Sequence, residues 1–257
     1  MAARAILPAM SGHSKWSQIK RQKGANDVKR GAVFTKMGRE IAVAARAGGG
    51  DPDGNFRLRL AIERARAMNM PLDTIKRAIE KATGGGEGEQ FEEIMYEGYG
   101  PGGVAIIIET ATDNKNRTAA DVRSILTKAG GQLAGSGSVA WQFEQRGVIV
   151  LSPGGDTEEL ELVAIDAGAE DVDSTGDQVE VFTKSTELEA VRRSLEAAGV
   201  KIESAEVAMQ AKNTVELDAG KARQALRLID LLEDQDDVQR VTANFEIPEE
   251  IMAEVGA

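Results

Sequence analysis

The 257-residue chain contains no cysteine and a single histidine, His13. Without thiols, disulfides, thiolate zinc sites and a cysteine nucleophile are excluded. One imidazole leaves almost no material for catalytic triads, histidine metal sites or histidine acid–base chemistry. Aromatic residues make up only 4%, so cores must be built from Ala, Val, Ile and Leu. No apolar run approaches the ~20 residues of a membrane span, and no secretory signal with a cleavage site is recognisable, which predicts a soluble cytoplasmic protein. Negative charge, by contrast, is in excess: 31 Lys/Arg stand against 42 Asp/Glu, a net −11. At face value that balance argues against nucleic acid as a partner. The 42% hydrophobic share suffices for ordinary cores, and the length for two or three domains.

The net charge hides a division. Residues 1–83 carry 17 Lys/Arg and 7 Asp/Glu, a balance of +10, whereas residues 84–257 carry 14 and 35, a balance of −21. The glycine-rich stretch Gly84–Glu89 marks the boundary. Before it, Ser14–Arg30 (SKWSQIKRQKGANDVKR) is basic with few apolar residues, and reads as a flexible arm that orders on a polyanion. Three helices are predicted next. Val33, Met37, Ile41 and Ala44 form a core stripe on the first, with Lys29, Lys36, Arg39 and Arg46 opposite. Leu58, Ile62 and Ala65 line the second, flanked by Arg57, Arg59, Arg64 and Arg66; Leu72, Ile75, Ile79 and Ala82 line a third that begins at Pro71. Acids at i±3 or i±4 match these positives poorly, and Arg suits phosphate better than Lys does, so the basic face reads as a nucleic-acid contact. His13 and Trp16 are candidates for stacking on a base, with plain exposure the simpler reading.

The acidic segment predicts strands at 93–99, 104–110 and 139–143, and a helix from Asn114 or Asn116 to Lys128. There follows a β-α-β-β-α-β series over 147–207, the split βαβ arrangement of ferredoxin-like domains. A helix at 219–233, a strand at 238–246 and a short helix after Pro248 complete the chain. The elements flanking the series suggest a second α/β unit into which it is inserted; three domains in a row fit the periodicity equally well. Gly98, Gly100 and Gly103 satisfy G-x-G-x-x-G but join two strands, so they read as a turn rather than a dinucleotide site. The carboxylate pairs Glu92/Glu93 and Asp236/Asp237 read as solvated faces. At Thr112–Thr118 (TDNKNRT) a helix N-terminus with two positives offers a secondary anion site through Asn114, Lys115, Asn116 and Arg117; plain capping by Asp or Asn is the simpler reading. No motif indicates an enzyme, a cofactor, a metal or a small-molecule substrate.

Together, Gly12–Trp16 (GHSKW), Arg30–Ile41 (RGAVFTKMGREI), Gly48–Ala65 (GGGDPDGNFRLRLAIERA), Asn69–Pro71, Tyr96–Ala105 (YEGYGPGGVA), Thr112–Thr118 and Gly137–Phe143 (GSVAWQF) resemble the YebC/PmpR family over about residues 11–250. Family members usually begin with Met, a small residue and GHSKW, so Met10 is the expected start and Met1–Ala9 an extension. Ala32 stands where lysine is frequent. The resemblance implies an α+β protein of three domains: an N-terminal three-helix domain and two α/β domains of ferredoxin-like type, the third inserted in the second. The expected layout is a flexible basic arm at 1–26, a helical basic domain at 27–85, a discontinuous acidic domain at 86–146 and 208–257, and the insertion at 147–207.

Many members of the family are named transcriptional regulators and are said to bind promoter DNA; others look like ribosome-associated translation factors that assist elongation through difficult stretches, notably proline-rich ones, and mitochondrial relatives activate translation of a respiratory oxidase subunit. A flexible Lys/Arg arm with one Trp suits irregular rRNA, and no helix-turn-helix is convincing. The expectation is therefore a non-enzymatic factor whose partner is rRNA in the ribosome, with DNA as the alternative. The expected contacts are His13, Lys15, Trp16, Lys20, Arg21, Lys23, Lys29, Arg30, Lys36, Arg39, Arg46, Arg57, Arg59 and Arg64. Oligomeric state is left open.

Overall fold

The computed structural model describes residues 30–84, 90–152, 156–174 and 179–247. The basic arm, Lys29, most of the glycine-rich boundary and the segment after Pro248 lie outside them. In chain order the elements are α1 (Arg30–Gly48), α2 (Phe56–Ala67), α3 (Leu72–Thr83), β1 (Glu92–Tyr99), β2 (Ala105–Thr112), α4 (Lys115–Lys128), β3 (Gln132–Ala134), β4 (Phe143–Leu151), α5 (Thr157–Asp166), β5 (Asp171–Asp173), β6 (Val179–Lys184), α6 (Leu188–Ala197), β7 (Ile202–Ala211), β8 (Val215–Glu216), α7 (Ala219–Glu233), β9 (Val238–Ala243) and β10 (Phe245–Glu246). The fold is α+β, with three helices leading into sheet-containing parts. Two compact units are distinguished: residues 144–210, and residues 1–143 with 211–257.

The three helices close on Ile41, Ala44, Ala45, Leu58, Ala61, Ile62, Ala65, Met70 and Ile75. Asn55 fixes the corner between α1 and α2. Its Oδ1 accepts the Leu58 N–H at 3.0 Å, while its amide donates to the carbonyls of Ala44 and Gly49, each at 2.8 Å. One buried side chain thereby caps one helix and satisfies the end of another. Leu72, expected in the core stripe, is instead 54% exposed, because it is the first residue of α3 and the packed turns lie further along.

In the same unit β1 and β2 form an antiparallel hairpin within a sheet of order β3-β1-β2-β9. The hairpin turns through a 3-10 turn at Pro101–Gly103, where Gly102 and Gly103 take φ of +79° and +80°, a conformation that L side chains resist. Strand alternation sends Ile106 and Ile108 to one face. There they pack with Val122 and Leu126 of α4, with Leu228 and Leu232 of α7, and with Val238 and Val241 of β9. The strand expected over 238–246 is broken at Asn244, whose Oδ1 accepts the Ala105 N–H at 2.7 Å and whose amide donates to Gln142 Oε1 at 2.9 Å.

The unit at 144–210 has sheet order β5-β6-β4-β7 with α5 and α6. This is the split βαβ order, and its elements follow the predicted series closely. The discontinuous sheet has a different order because it grows from a hairpin. The strand expected over 139–143 is also different: Ala140–Gln142 form a 3-10 turn and β4 begins at Phe143. The cause is tertiary. The buried Glu97 carboxylate accepts the N–H groups of Gly137 and Val139 at 2.6 Å and of Ala140 at 2.9 Å, curling the segment around one side chain.

Candidate nucleic-acid interface

The expected contacts fall into three groups. His13, Lys15, Trp16, Lys20, Arg21, Lys23 and Lys29 lie outside the described residues, and Arg30 opens α1. A second group turns toward the sheet that continues the same unit. Lys36 Nζ donates to the Glu233 carbonyl at the end of α7. Arg39 donates to the Asp236 carbonyl at 2.5 Å and to Asp237 Oδ1 at 2.6 Å, with its guanidinium 5.2 Å from the centre of the Phe91 ring. Arg57 makes a bidentate pair with Glu93 at the edge of β1. Its guanidinium is held further above its ordinary value by the Glu93 hydrogen bond, against the opposing effect of burial. Arg64 pairs with Glu40 of α1 at 2.8 Å. Acids that local spacing failed to find therefore exist for Arg39, in the turn before β9, and for Arg57, on β1; Lys36 meets a backbone carbonyl instead.

A third group faces water. Arg46, in the last turn of α1, and Arg66, in the last turn of α2, are exposed, as is Lys76 of α3. Among the described residues these three have no ion-pair partner. Arg59 lies 5.3 Å from the centre of the Phe56 ring on its own helix. Arg66 and Lys76 are absent from the expected contacts; the signal that finds them is exposure without a partner, which periodicity does not give.

The sheet side of this boundary centres on Asp237. Contrary to the solvated face read from the sequence, Asp237 is only 7% exposed. One carboxylate oxygen meets Arg39; the other accepts from Thr118 at 2.6 Å, from Arg117 at 2.7 Å and from Thr112 at 3.3 Å. Burial alone would raise this carboxyl, but the Thr118 and Arg117 hydrogen bonds, with the charges of Arg39 and Arg117, hold it below its ordinary value. Arg117 is correspondingly held far above its own, chiefly by Asp237 and Asp113. The TDNKNRT segment is thus a cap and an ion-pair hub: Asn114 Oδ1 accepts the Arg117 N–H at 3.1 Å, and the Arg117 side chain is shared by two carboxylates. Lys115 stands 4.0 Å from Glu92, and Asn116 is exposed. Glu92, like Glu93, is exposed, but both serve as counter-charges. Among the described residues, no group of three or more His, Asp or Glu side chains is arranged to hold a metal ion, and no helix is long and apolar enough to cross a membrane.

A basic three-helix region is thus docked by ion pairs onto the acidic sheet-containing part of the same unit. Residues 14–85 match the model for the TACO1/YebC protein N-terminal domain, and residues 91–245 that for the TACO1/YebC second and third domain. The chain belongs to the TACO1/YebC family. A probable transcriptional regulatory protein of Rubrobacter xylanophilus is 56% identical over 96% of this chain and 99% of its own. One of the same description from Geotalea uraniireducens is 54% identical over 95% and 98%. The crystal structure of a conserved hypothetical protein from Aquifex aeolicus superposes with a TM-score of 0.82 at 48% identity, covering 88% of this chain and 94% of that one.

Proposed function

We propose that the protein is a non-enzymatic nucleic-acid-binding factor of gene expression that acts in translation, holding ribosomal RNA through its basic arm and the water-facing positives of its helical region. The observation that carries this reading is the sorting of charge on the helices. Lys36 and Arg39 are engaged with the end of α7 and the turn that follows it, so α1 cannot offer them to the major groove of a duplex. Arg46, Arg66 and Lys76 instead lie on three different helices. Scattered cations beside a Lys/Arg-rich arm suit an irregular RNA surface, which is read by shape and by phosphate contacts. The acidic body would then limit binding to bulk polyanion and approach a functional centre of the ribosome, where elongation through proline-rich stretches is assisted.

Sedimentation of the intact protein with ribosomes at low salt tests this reading, and absence from ribosomal fractions would sink it. The names carried by the relatives, probable transcriptional regulatory proteins, favour a second reading, a DNA-binding transcriptional regulator. That reading requires a promoter to outcompete scrambled duplex at ~150 mM salt, where non-specific phosphate binding has weakened. Equal competition would remove it.

A further inference from the structure

Tryptophan is highly buried in most proteins, yet Trp141 is 66% exposed. It is also firmly held. The turn that carries it is tied down by the three N–H groups that Glu97 accepts, and Glu97 itself is only 5% exposed. The indole N–H donates to the Ser138 carbonyl at 3.1 Å, and Tyr99 O–H reaches the same carbonyl at 3.2 Å. Lys212, just after β7 in the chain, closes the arrangement: its backbone N–H donates to the Gln142 carbonyl at 2.8 Å and its Nζ to the Trp141 carbonyl at 3.1 Å. The indole is thus oriented without being covered.

From this geometry we infer that Trp141 is a stacking platform for an unpaired nucleobase, with Lys212 placed for the adjoining phosphate; the inference rests on the nucleic-acid reading given above. The immediate surroundings select the ligand. Gly135, Ser136 and Gly137 before the turn are small and exposed, so a flat ring can approach. A protein hot spot would instead need a contiguous apolar surround that excludes water. An ammonium has three donors, of which Lys212 uses one on the Trp141 carbonyl. Stacking on an aromatic with a cation alongside is how single strands are held without sequence preference.

The chain has two tryptophans, so a W16F background, whatever that change does to affinity itself, makes Trp141 the sole indole reporter. Full-length protein is titrated with a fluorescein-labelled single-stranded RNA of mixed sequence, following tryptophan emission and RNA anisotropy. Stacking predicts quenching of Trp141 and a loss of roughly 5- to 150-fold in affinity for W141A. W141F should restore most of the affinity and W141L little, and the salt slope of W141A should equal that of its parent. K212A should flatten the slope by ~0.7, one single-strand phosphate. RNA binding with Trp141 unquenched and W141A unimpaired would overturn stacking while leaving the nucleic-acid reading intact. Full binding by W141L would also overturn it, since bulk apolar contact, the mark of a protein partner, would then suffice. If the wild-type protein binds no RNA at low salt, both proposals fall.

Discussion

The two faces of the sheet β3-β1-β2-β9 are built on opposite physics. On one face Ile106, Ile108, Leu126, Leu228 and Leu232 are sealed from water, and each such side chain contributes about 1.5–3 kcal/mol by its burial. Strand alternation sends Glu93, Glu97, Glu109 and Arg240 to the other face, with Glu109 opposite Arg240 in register. The helical region docks on that side and at its margin through Arg39–Asp237 and Arg57–Glu93. Half-buried Glu109, raised above its ordinary value by burial and by Glu93, keeps Oε2 without a hydrogen-bond partner. Polar docking of this kind fixes orientation while adding little stability, because desolvation offsets much of the attraction. The apolar face holds the unit together; the charged face sets how the basic helices are presented.

Truncating the apolar face should have the largest effect. Ile108→Ala or Leu228→Ala leaves a cavity in a packed core, and we expect a loss of about 2–5 kcal/mol in denaturant unfolding. A loss below ~1 kcal/mol would mean that this face is not the main source of stability.

Next in size is Asp237→Ala, which strands Arg39 and Arg117 together and should cost about 2–3 kcal/mol, discounted because Arg117 is half-exposed. Here pH is the sharper probe. A carboxyl whose folded value lies below its unfolded value of ~3.9 contributes stability above that pH and loses it as pH falls through the folded value. The stability advantage of the wild type over Asp237→Asn should therefore be flat from neutral pH down to about 5 and shrink below about 4. An advantage independent of pH down to about 3 would show that the charge on Asp237 is not what docks the helices.

These effects also mark what the sequence could reveal. The helical stripes and the β-α-β-β-α-β series are local periodicities, and the structure follows them except at Leu72, at the start of α3. The partner of Arg39 lies 198 residues away, beyond the reach of any i±4 search, so the sequence hides the ion pair and its carboxylate reads as a solvated face. The turn at Ala140–Gln142 is hidden for the same reason: its hydrogen-bond acceptor, Glu97, sits on another strand. Within the candidate interface, sequence supplies the sign of the charge, and tertiary contacts decide which cations remain exposed.

That sorting predicts different consequences for RNA binding. Arg46→Ala and Arg66→Ala should each weaken binding evenly across sequences and reduce the salt slope by about 0.7–0.9, one phosphate apiece. Arg39→Ala should leave that slope alone while lowering stability. A slope change for Arg39 and none for Arg46 or Arg66 would reverse the assignment of docking and binding roles.

The smallest effect is expected at the rim of the charged face. The side chains of Arg57 and Glu93 are 52% and 51% exposed, so their bidentate pair is screened by water and costs entropy to hold. A double-mutant cycle of Arg57→Ala and Glu93→Ala should give a coupling of only about 0.2–1 kcal/mol at low salt, fading as added salt shortens the screening length. A coupling above ~2 kcal/mol that survives 1 M salt would place this pair in a dry interface and make the charged face a source of stability in its own right. The expected weak, salt-sensitive coupling would instead leave Asp237 as the principal anchor, with the rim pair tuning the angle at which α2 meets β1.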